Sequence, residues 1–265
     1  MRYNLAVYEA NKNLGQNFLL DYEIAQKLID LLEINTGEVV VEIGAGLGAL
    51  TEQLAKKMDS MDFTAYALEI DSRFIPKLES MFVDREKLFI EDADVLSWLP
   101  EFETDKPLRI LGALPFYITS PILHATVKMH TPPKSAVFVV QKEVGEKISS
   151  KVPDASYLST FVQTFFEVTY VDEISRKLFD PQPNVDGAII VLKLLEDYPS
   201  DIDKEKYEGF LHRAFSNPRK MLNKAFAAED LERGGIDPSL RAEAVPVEKW
   251  VSFFRFFSSA GSDKK

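Results

Sequence analysis

The chain has 265 residues and no cysteine, which excludes disulfides, thiolate metal sites and a cysteine nucleophile. Its three histidines stand at no metal-ligand spacing, and Lys+Arg 31 against Asp+Glu 42, a net charge of −11 and a pI near 4.9, argues against a surface that binds nucleic acid throughout. With 46% hydrophobic and 28% charged residues and no apolar run near the ~18 of a spanning helix, the sequence reads as a globular, cytoplasmic chain without signal peptide, membrane segment or metal.

Taken in order, the first two-thirds alternate between two kinds of segment. Helical spacing over 21–32 puts Ile24, Leu28, Ile29 and Leu32 on one face. Glu38–Ile43 then reads as a buried strand, 49–58 as a helix, Thr64–Ile70 as a strand and 72–82 as a helix behind a Ser cap. Strands follow at 88–90, 108–111 and 136–141, with a helix at 121–128 that carries Pro in its first turn. Such alternation predicts a parallel sheet with helices on both faces. Thr164–Val171 and Val185–Leu194, with no helical pattern between them, read as an antiparallel pair closing the sheet, joined by the Pro-containing loop 179–184. After Leu195 an acidic stretch with Pro199 resembles a linker, and helical patterns follow at 204–215, 218–228, 238–242 and 246–258. The expectation is an α/β domain over 1–196 and a small all-helical domain over 197–265.

The sharpest local feature is Val39-Val40-Val41-Glu42-Ile43-Gly44-Ala45-Gly46-Leu47-Gly48, a buried strand running into a glycine turn and a helix start. Glycines there let the backbone turn sharply and let a ligand come close to the main chain. The spacing is G-x-G-x-G with an acid before it, which departs from the G-x-G-x-x-G of dinucleotide sites. The next strand ends in Glu69-Ile70-Asp71, where an acid about 20 residues beyond the glycines can accept from ribose hydroxyls. The third is followed by Asp94, which can accept from an adenine amino group. Each acid alone reads equally as a solvated loop residue or a helix cap. Glycines and acids at three successive strand ends point to a ligand at the carboxyl edge of the sheet.

This set resembles the class I S-adenosylmethionine-dependent methyltransferases, whose Rossmann-like sheet binds an adenosyl sulfonium with no phosphate to neutralise. Four further segments narrow the resemblance: Asn13-Leu14-Gly15-Gln16-Asn17-Phe18-Leu19-Leu20-Asp21, Gly112-Ala113-Leu114-Pro115-Phe116, Val140-Gln141-Lys142-Glu143-Val144 and Phe179-Asp180-Pro181-Gln182-Pro183-Asn184-Val185-Asp186. Together they identify the chain, from about 12 to 245, as a member of the ribosomal RNA adenine dimethyltransferase family of the KsgA type, with the Erm resistance methylases as cousins. The resemblance implies S-adenosyl-L-methionine as cofactor and two successive methyl transfers to the exocyclic amine of each of two adjacent adenines in small-subunit rRNA or a pre-30S particle, by a monomer. It implies that Gln16, Asn17 and Leu19 close over the cofactor, that Gly44 and Gly46, Glu69 and Asp94 hold its methionine, ribose and adenine parts, and that Ala113, Leu114, Pro115 and Phe116, with Phe179 stacking, hold the target base, Ala113 also bordering the cofactor.

The family pattern at that last motif is N-L-P-Y, whereas this chain has Ala113-Leu114-Pro115-Phe116. Phe keeps the stacking face; Ala removes the side-chain acceptor for the amine, which places the activity in question. For RNA, the acid-free basic stretch 209–228 supplies Arg213, Arg219, Lys220 and Lys224, of which Phe215-Ser216-Asn217-Pro218-Arg219-Lys220 matches a basic helix start of the family. The N-terminal arm offers only Arg2 and Lys12. The alternative is a non-catalytic RNA-binding factor in ribosome assembly or transcription on the same fold; a large-subunit methylase of the Erm type, with N-I-P-Y, is a weaker match.

Overall fold

The computed structural model describes residues 10, 11 and 14–262, with side chains as far as 259; Arg2, Lys12 and Asn13 lie outside the described residues. The chain divides into two compact units, one of 1–145 with 169–194 and one of 146–168 with 195–265.

The first unit begins with the short strand β1 (Phe18–Leu19) and helix α1 (Tyr22–Leu31), whose Asp21 cap accepts from the Ile24 amide and whose Ala25, Leu28 and Ile29 are buried. Strand and helix then alternate: β2 (Val39–Ile43), α2 (Ala49–Met58), β3 (Thr64–Glu69), α3 (Ile75–Met81), β4 (Leu88–Asp92), α4 (Val95–Glu101), β5 (Leu108–Ala113), α5 (Thr119–Lys128) and β6 (Ser135–Gln141). All five residues of β2 are buried, as in a strand covered on both faces. After α6 (Lys142–Ser149) and α7 (Tyr157–Gln163) come β7 (Phe166–Ile174), β8 (Phe179–Asp180) and β9 (Gly187–Leu194).

Seven strands form one sheet in the order β4-β3-β2-β5-β6-β9-β7. The pairs from β4 through β6 are parallel, and β9 runs antiparallel to β6, Ser135 facing Lys193 and Gln141 facing Gly187. This is the mixed, Rossmann-like methyltransferase sheet that the alternation and the resemblance imply. The strand order reverses between β2 and β5, and the crevice outside the carboxyl ends of such a pair is where open α/β sheets hold ligands.

Four local expectations are corrected. The helix expected over 72–82 starts only at Ile75, with Phe74 and not Ser72 at its cap, and 238–242 is a turn followed by a 3-10 turn at Ala242–Ala244. The loop 179–184 is not simply a connection: its first two residues form β8, which leaves the sheet and pairs antiparallel with β1, Phe18 opposite Asp180 and Leu19 opposite Phe179. And 218–228 is not one helix. The amides of Leu222 and Asn223 bond to the carbonyls of Leu240 and Pro238, so a helical ladder is replaced by bonds to a later segment; a 3-10 turn covers Leu222–Lys224 and α9 covers Ala228–Arg233.

In the second unit, α8 (Lys204–Phe215) and α10 (Val247–Ser262) bury an aromatic core. Phe210 meets Phe226, Trp250, Phe253 and Phe254 at centroid distances of 5.1–5.9 Å. The inserted segment 146–168 joins this unit through α7: Tyr157 stacks on His212 at 4.1 Å, and the Thr164 and Tyr207 hydroxyls are 2.9 Å apart. No helix among the described residues is long and apolar enough to cross a membrane.

Candidate active site

A cleft opens at the carboxyl ends of β2 and β5, and every residue lining it belongs to the first unit. Its floor is the turn after β2. Gly44 and Gly46 sit at φ of 76° and 53°, a region that side chains disfavour. A Cβ on Gly44 would meet nothing within 4 Å, so the main chain there faces open space. The amides of Gly44 and Ala45 both donate to the Leu68 carbonyl, fixing the turn to β3.

Glu69 ends β3 and is 6% exposed. Its carboxylate accepts from the Gly46 amide at 2.7 Å and the Asp71 amide at 2.8 Å, so it braces the glycine turn while facing the cleft. Burial raises its pKa against the lowering effect of these amides. Asp94 lines the cleft as the cap of α4, accepting from the Leu96 amide at 2.9 Å; the cap and ligand readings of this residue coincide.

Gln16, Asn17 and Leu19 line the opposite wall, held there by β1–β8 pairing. Both ends of the Gln16 amide are engaged: Nε2 donates to Asp71 at 2.7 Å, and Oε1 accepts from the Asn11 amide at 2.7 Å. Gln16 therefore ties the N-terminal segment to the end of β3. Asp71 is held down to about 2, first by the Arg73 guanidinium, which bonds it through Nε and Nη2, and against its burial, with Gln16 adding to the effect. Asn17 donates to the Gly15 carbonyl at 3.0 Å.

The third wall is the end of β5. Ala113 pairs with Val139 of β6, and the Leu114 amide donates to the Val139 carbonyl at 3.0 Å. Pro115 and Phe116 follow, and the Pro115 carbonyl accepts from the Ile118 amide and the Thr119 hydroxyl. Phe179, buried in β8 opposite Leu19, lines the same cleft. The fold thus brings together all twelve cleft residues expected from the sequence: Gln16, Asn17, Leu19, Gly44, Gly46, Glu69, Asp94, Ala113, Leu114, Pro115, Phe116 and Phe179. Arg213, Arg219, Lys220 and Lys224 lie in the second unit and do not line this cleft. Arg213 is engaged within that unit, donating to the Ala225 carbonyl at 2.8 Å with its guanidinium 4.5 Å from the Phe226 ring centroid. Arg219, Lys220 and Lys224 are exposed.

Among the lining residues not singled out from the sequence, Ile70, Tyr117 and Glu42 bear on the chemistry. Ile70 is 50% exposed beside Glu69, an apolar surface at the cleft. Tyr117 is 57% exposed, and a Cβ on Gly15 would lie 2.6 Å from its ring, so that glycine admits the aromatic at the cleft mouth. An exposed apolar residue directly after each motif was the available signal. Glu42, noted only as the acid before the glycines, is fully buried, and neither carboxylate oxygen has a hydrogen bond of ordinary geometry. Burial, with the Glu69 charge adding to it, pushes its pKa up to about 8 against the lowering influence of Thr51. A carboxyl whose native pKa lies above its unfolded value binds an extra proton when folded, so it costs stability increasingly as pH rises from about 4.5 toward 8. Glu42→Gln is expected to be more stable than the parent at pH 8 and equal to it near pH 4.5, the gap growing by at most about 1.4 kcal/mol per pH unit; denaturant midpoints across that range check it.

The lining carries three acids, Glu69, Asp94 and the buried Glu42, which burial keeps protonated at neutral pH, and no Lys, Arg or His among the described residues. That is a cleft for a neutral or cationic ligand with hydroxyl and amino donors, and a poor one for a phosphate.

Comparison with known proteins shows the family. The profile of a family described as "Ribosomal RNA adenine dimethylase" matches residues 7–259. The chain is 34% identical over 250 residues to the "Ribosomal RNA small subunit methyltransferase A" of Persephonella marina, covering 93% of each. It is 34% identical to the protein of the same description from Streptococcus thermophilus, covering 94% of this chain and 92% of that one. Among solved structures it resembles the 23S rRNA methyltransferase ErmE, with TM-score 0.72 and 25% identity over 91% of this chain and all of that one. A dimethyladenosine transferase from Plasmodium falciparum shares the fold, with TM-score 0.79 and 22% identity over 91% of this chain and 97% of that one.

Proposed function

The chain belongs to the ribosomal RNA adenine dimethylase family, and from that premise we propose that it transfers methyl groups from S-adenosyl-L-methionine to the exocyclic amines of adjacent adenines in small-subunit rRNA. The observation that carries the reading is the acidic, cation-free cleft at the switch point, with Glu69 and Asp94 on one side and Leu114, Phe116 and Phe179 on the other. When bound, S-adenosyl-L-methionine supplies an electrophilic methyl on a positively charged sulfur. Glu69 would accept from the ribose hydroxyls and Asp94 from the adenine amino group, while the open main chain at Gly44, with Gly46 beside it under the Phe18 ring, admits the methionine part. Gln16, Asn17 and Leu19 would form the cover. Phe116 and Phe179 would stack on a target adenine taken out of its own stack, and the Leu114 carbonyl would accept one N–H of its amine. In each transfer a nitrogen–carbon bond forms, the carbon–sulfur bond breaks and the amine loses one proton. Arg219, Lys220 and Lys224 would neutralise RNA phosphates from the acid-free stretch 209–228 of the helical unit, whose charge opposes the chain's overall sign. The chain would act as a monomer.

One observation favours a second reading, an RNA-binding factor without turnover: the family's amide acceptor is Ala113 here. Both readings are tested by incubating the chain with methyl-labelled S-adenosyl-L-methionine and small subunits that lack the modification. The expected result is label on adenines of the small-subunit rRNA, and a Glu69→Ala variant that binds the cofactor about 10–100-fold more weakly, the loss of a hydrogen bond to a charged group. Subunit binding with no label from the parent chain or from Ala113→Asn would overturn the enzyme reading in favour of the second.

A further inference from the structure

An unmodified adenine amine carries two N–H donors. At the base end of the cleft the acceptors can be counted. The Leu114 carbonyl accepts from no described residue, whereas that of Pro115 is taken by Ile118 and Thr119. Of the other polar side chains of the lining, Glu69 accepts from Gly46 and Asp71, Asp94 from Leu96 and Gln16 from Asn11, Asn17 is tied to the Gly15 carbonyl, and Glu42, whose oxygens have no bond of ordinary geometry, is fully buried within β2 opposite Leu111. Where a second side-chain acceptor would stand, the wall is the methyl of Ala113, packed against the apolar cluster that contains Val139 and Phe179. A base entering with two donors would pair one and leave the other against hydrocarbon, and an unpaired buried donor costs more than a formed bond returns.

A base with one N–H and one methyl matches this wall group for group. We propose that the Ala113-Leu114-Pro115-Phe116 end of the cleft is a binding site for N6-monomethylated adenine, preferred over unmodified adenine: the remaining N–H meets the Leu114 carbonyl, and the methyl meets Ala113, Val139 and Phe179. The inference rests on the placement of the target base in this cleft given under Proposed function, and it names which state of that base the chain takes. N6,N6-dimethyladenine, with no N–H, forgoes the carbonyl and ranks below the monomethyl form.

The test is fluorescence anisotropy of a short stem-loop RNA with two adjacent loop adenines, one of them unmodified, N6-monomethylated or N6,N6-dimethylated, with S-adenosylhomocysteine present. The monomethyl stem-loop is expected to bind the parent chain roughly tenfold more tightly than the unmodified one, about 1.4 kcal/mol, and more tightly than the dimethyl one. Ala113→Asn restores a second acceptor and is expected to invert the order of the first two. Equal or tighter binding of the unmodified RNA by the parent chain overturns the proposal, as does a ratio that Ala113→Asn leaves unchanged, or no binding of any stem-loop. Methyl transfer to whole subunits by Ala113→Asn would in each of those cases leave the broader reading of the cleft standing.

Discussion

Ala113→Asn is expected to raise the single-turnover rate of methyl transfer to small subunits by about 10²–10³-fold, the usual effect of one positioned hydrogen-bonding group at a reacting centre. The lone pair of an adenine amine is delocalised into the ring, which makes it a poor nucleophile. Two acceptors, one on each N–H, fix the amine and turn its lone pair toward the incoming methyl. With one acceptor the base still binds and stacks on Phe116, but the amine turns and fewer of its orientations react. The substitution is sterically mild: Ala113 is half-buried at the end of β5 and faces the cleft, so the amide extends into ligand space rather than into the sheet. The gain should fall on kcat, since the interaction matters most when charge develops on the nitrogen. A parent chain as fast as Ala113→Asn would mean that the Leu114 carbonyl and the aromatic wall suffice, and that the amide is dispensable in this member of the family.

The parts of the fold that were legible in the sequence are those written in local periodicity. The turn from β2 into α2 is one: five consecutive buried residues, three glycines and an amphipathic helix whose bounds at Ala49 and Met58 could be read directly. Glu69 was legible for a similar reason, as the acid that ends an apolar run, and Asp94 as the last acid of the Glu91-Asp92-Ala93-Asp94 stretch that follows one. Helix α4 was not, because seven residues span barely two turns and Pro100 interrupts their pattern. Nor was α7, whose partners Glu208 and His212 lie some 50 residues downstream. The pairing of β1 with β8 joins two motifs that sequence could recognise but not bring together, since two-residue strands carry no period. The Gln16–Asp71 bond and the burial of Glu42 are likewise products of tertiary packing: a strand reading V-V-V-E-I gives no sign that its acid will be covered on both sides of the sheet.

The largest loss of stability is expected at the other end of the strand pair that carries the site. Arg109, at the start of β5, sends its guanidinium to both oxygens of Glu38, to the Leu32 carbonyl at 2.5 Å and to the Ser135 hydroxyl at 3.0 Å. Arg109 is 7% and Glu38 4% exposed, so each charge depends on the other. Removing one partner strands a buried ion, and Arg109→Ala is expected to cost about 3–5 kcal/mol in a urea titration at pH 7. The double variant Glu38→Leu/Arg109→Met removes both charges with their desolvation and should recover most of that loss. The pH dependence has a definite sign. Burial pushes the Glu38 carboxyl up, but Arg109 and the Asn35 amide outweigh it and the native pKa is lowered. The contribution is therefore present above the unfolded value of about 4.5 and lost as pH falls through the native pKa. An Arg109→Ala chain as stable as the parent at pH 7 would contradict the assignment. The pair also bears on the site. Register runs from Val40 opposite Arg109 to Ile43 opposite Gly112, so the bond that locks the start of β2 against β5 fixes, four residues on, how Gly44 stands against Ala113. If that register matters, the double variant should transfer methyl groups at the parent's rate once folded, because packing of the two strands is retained while only the charges are gone.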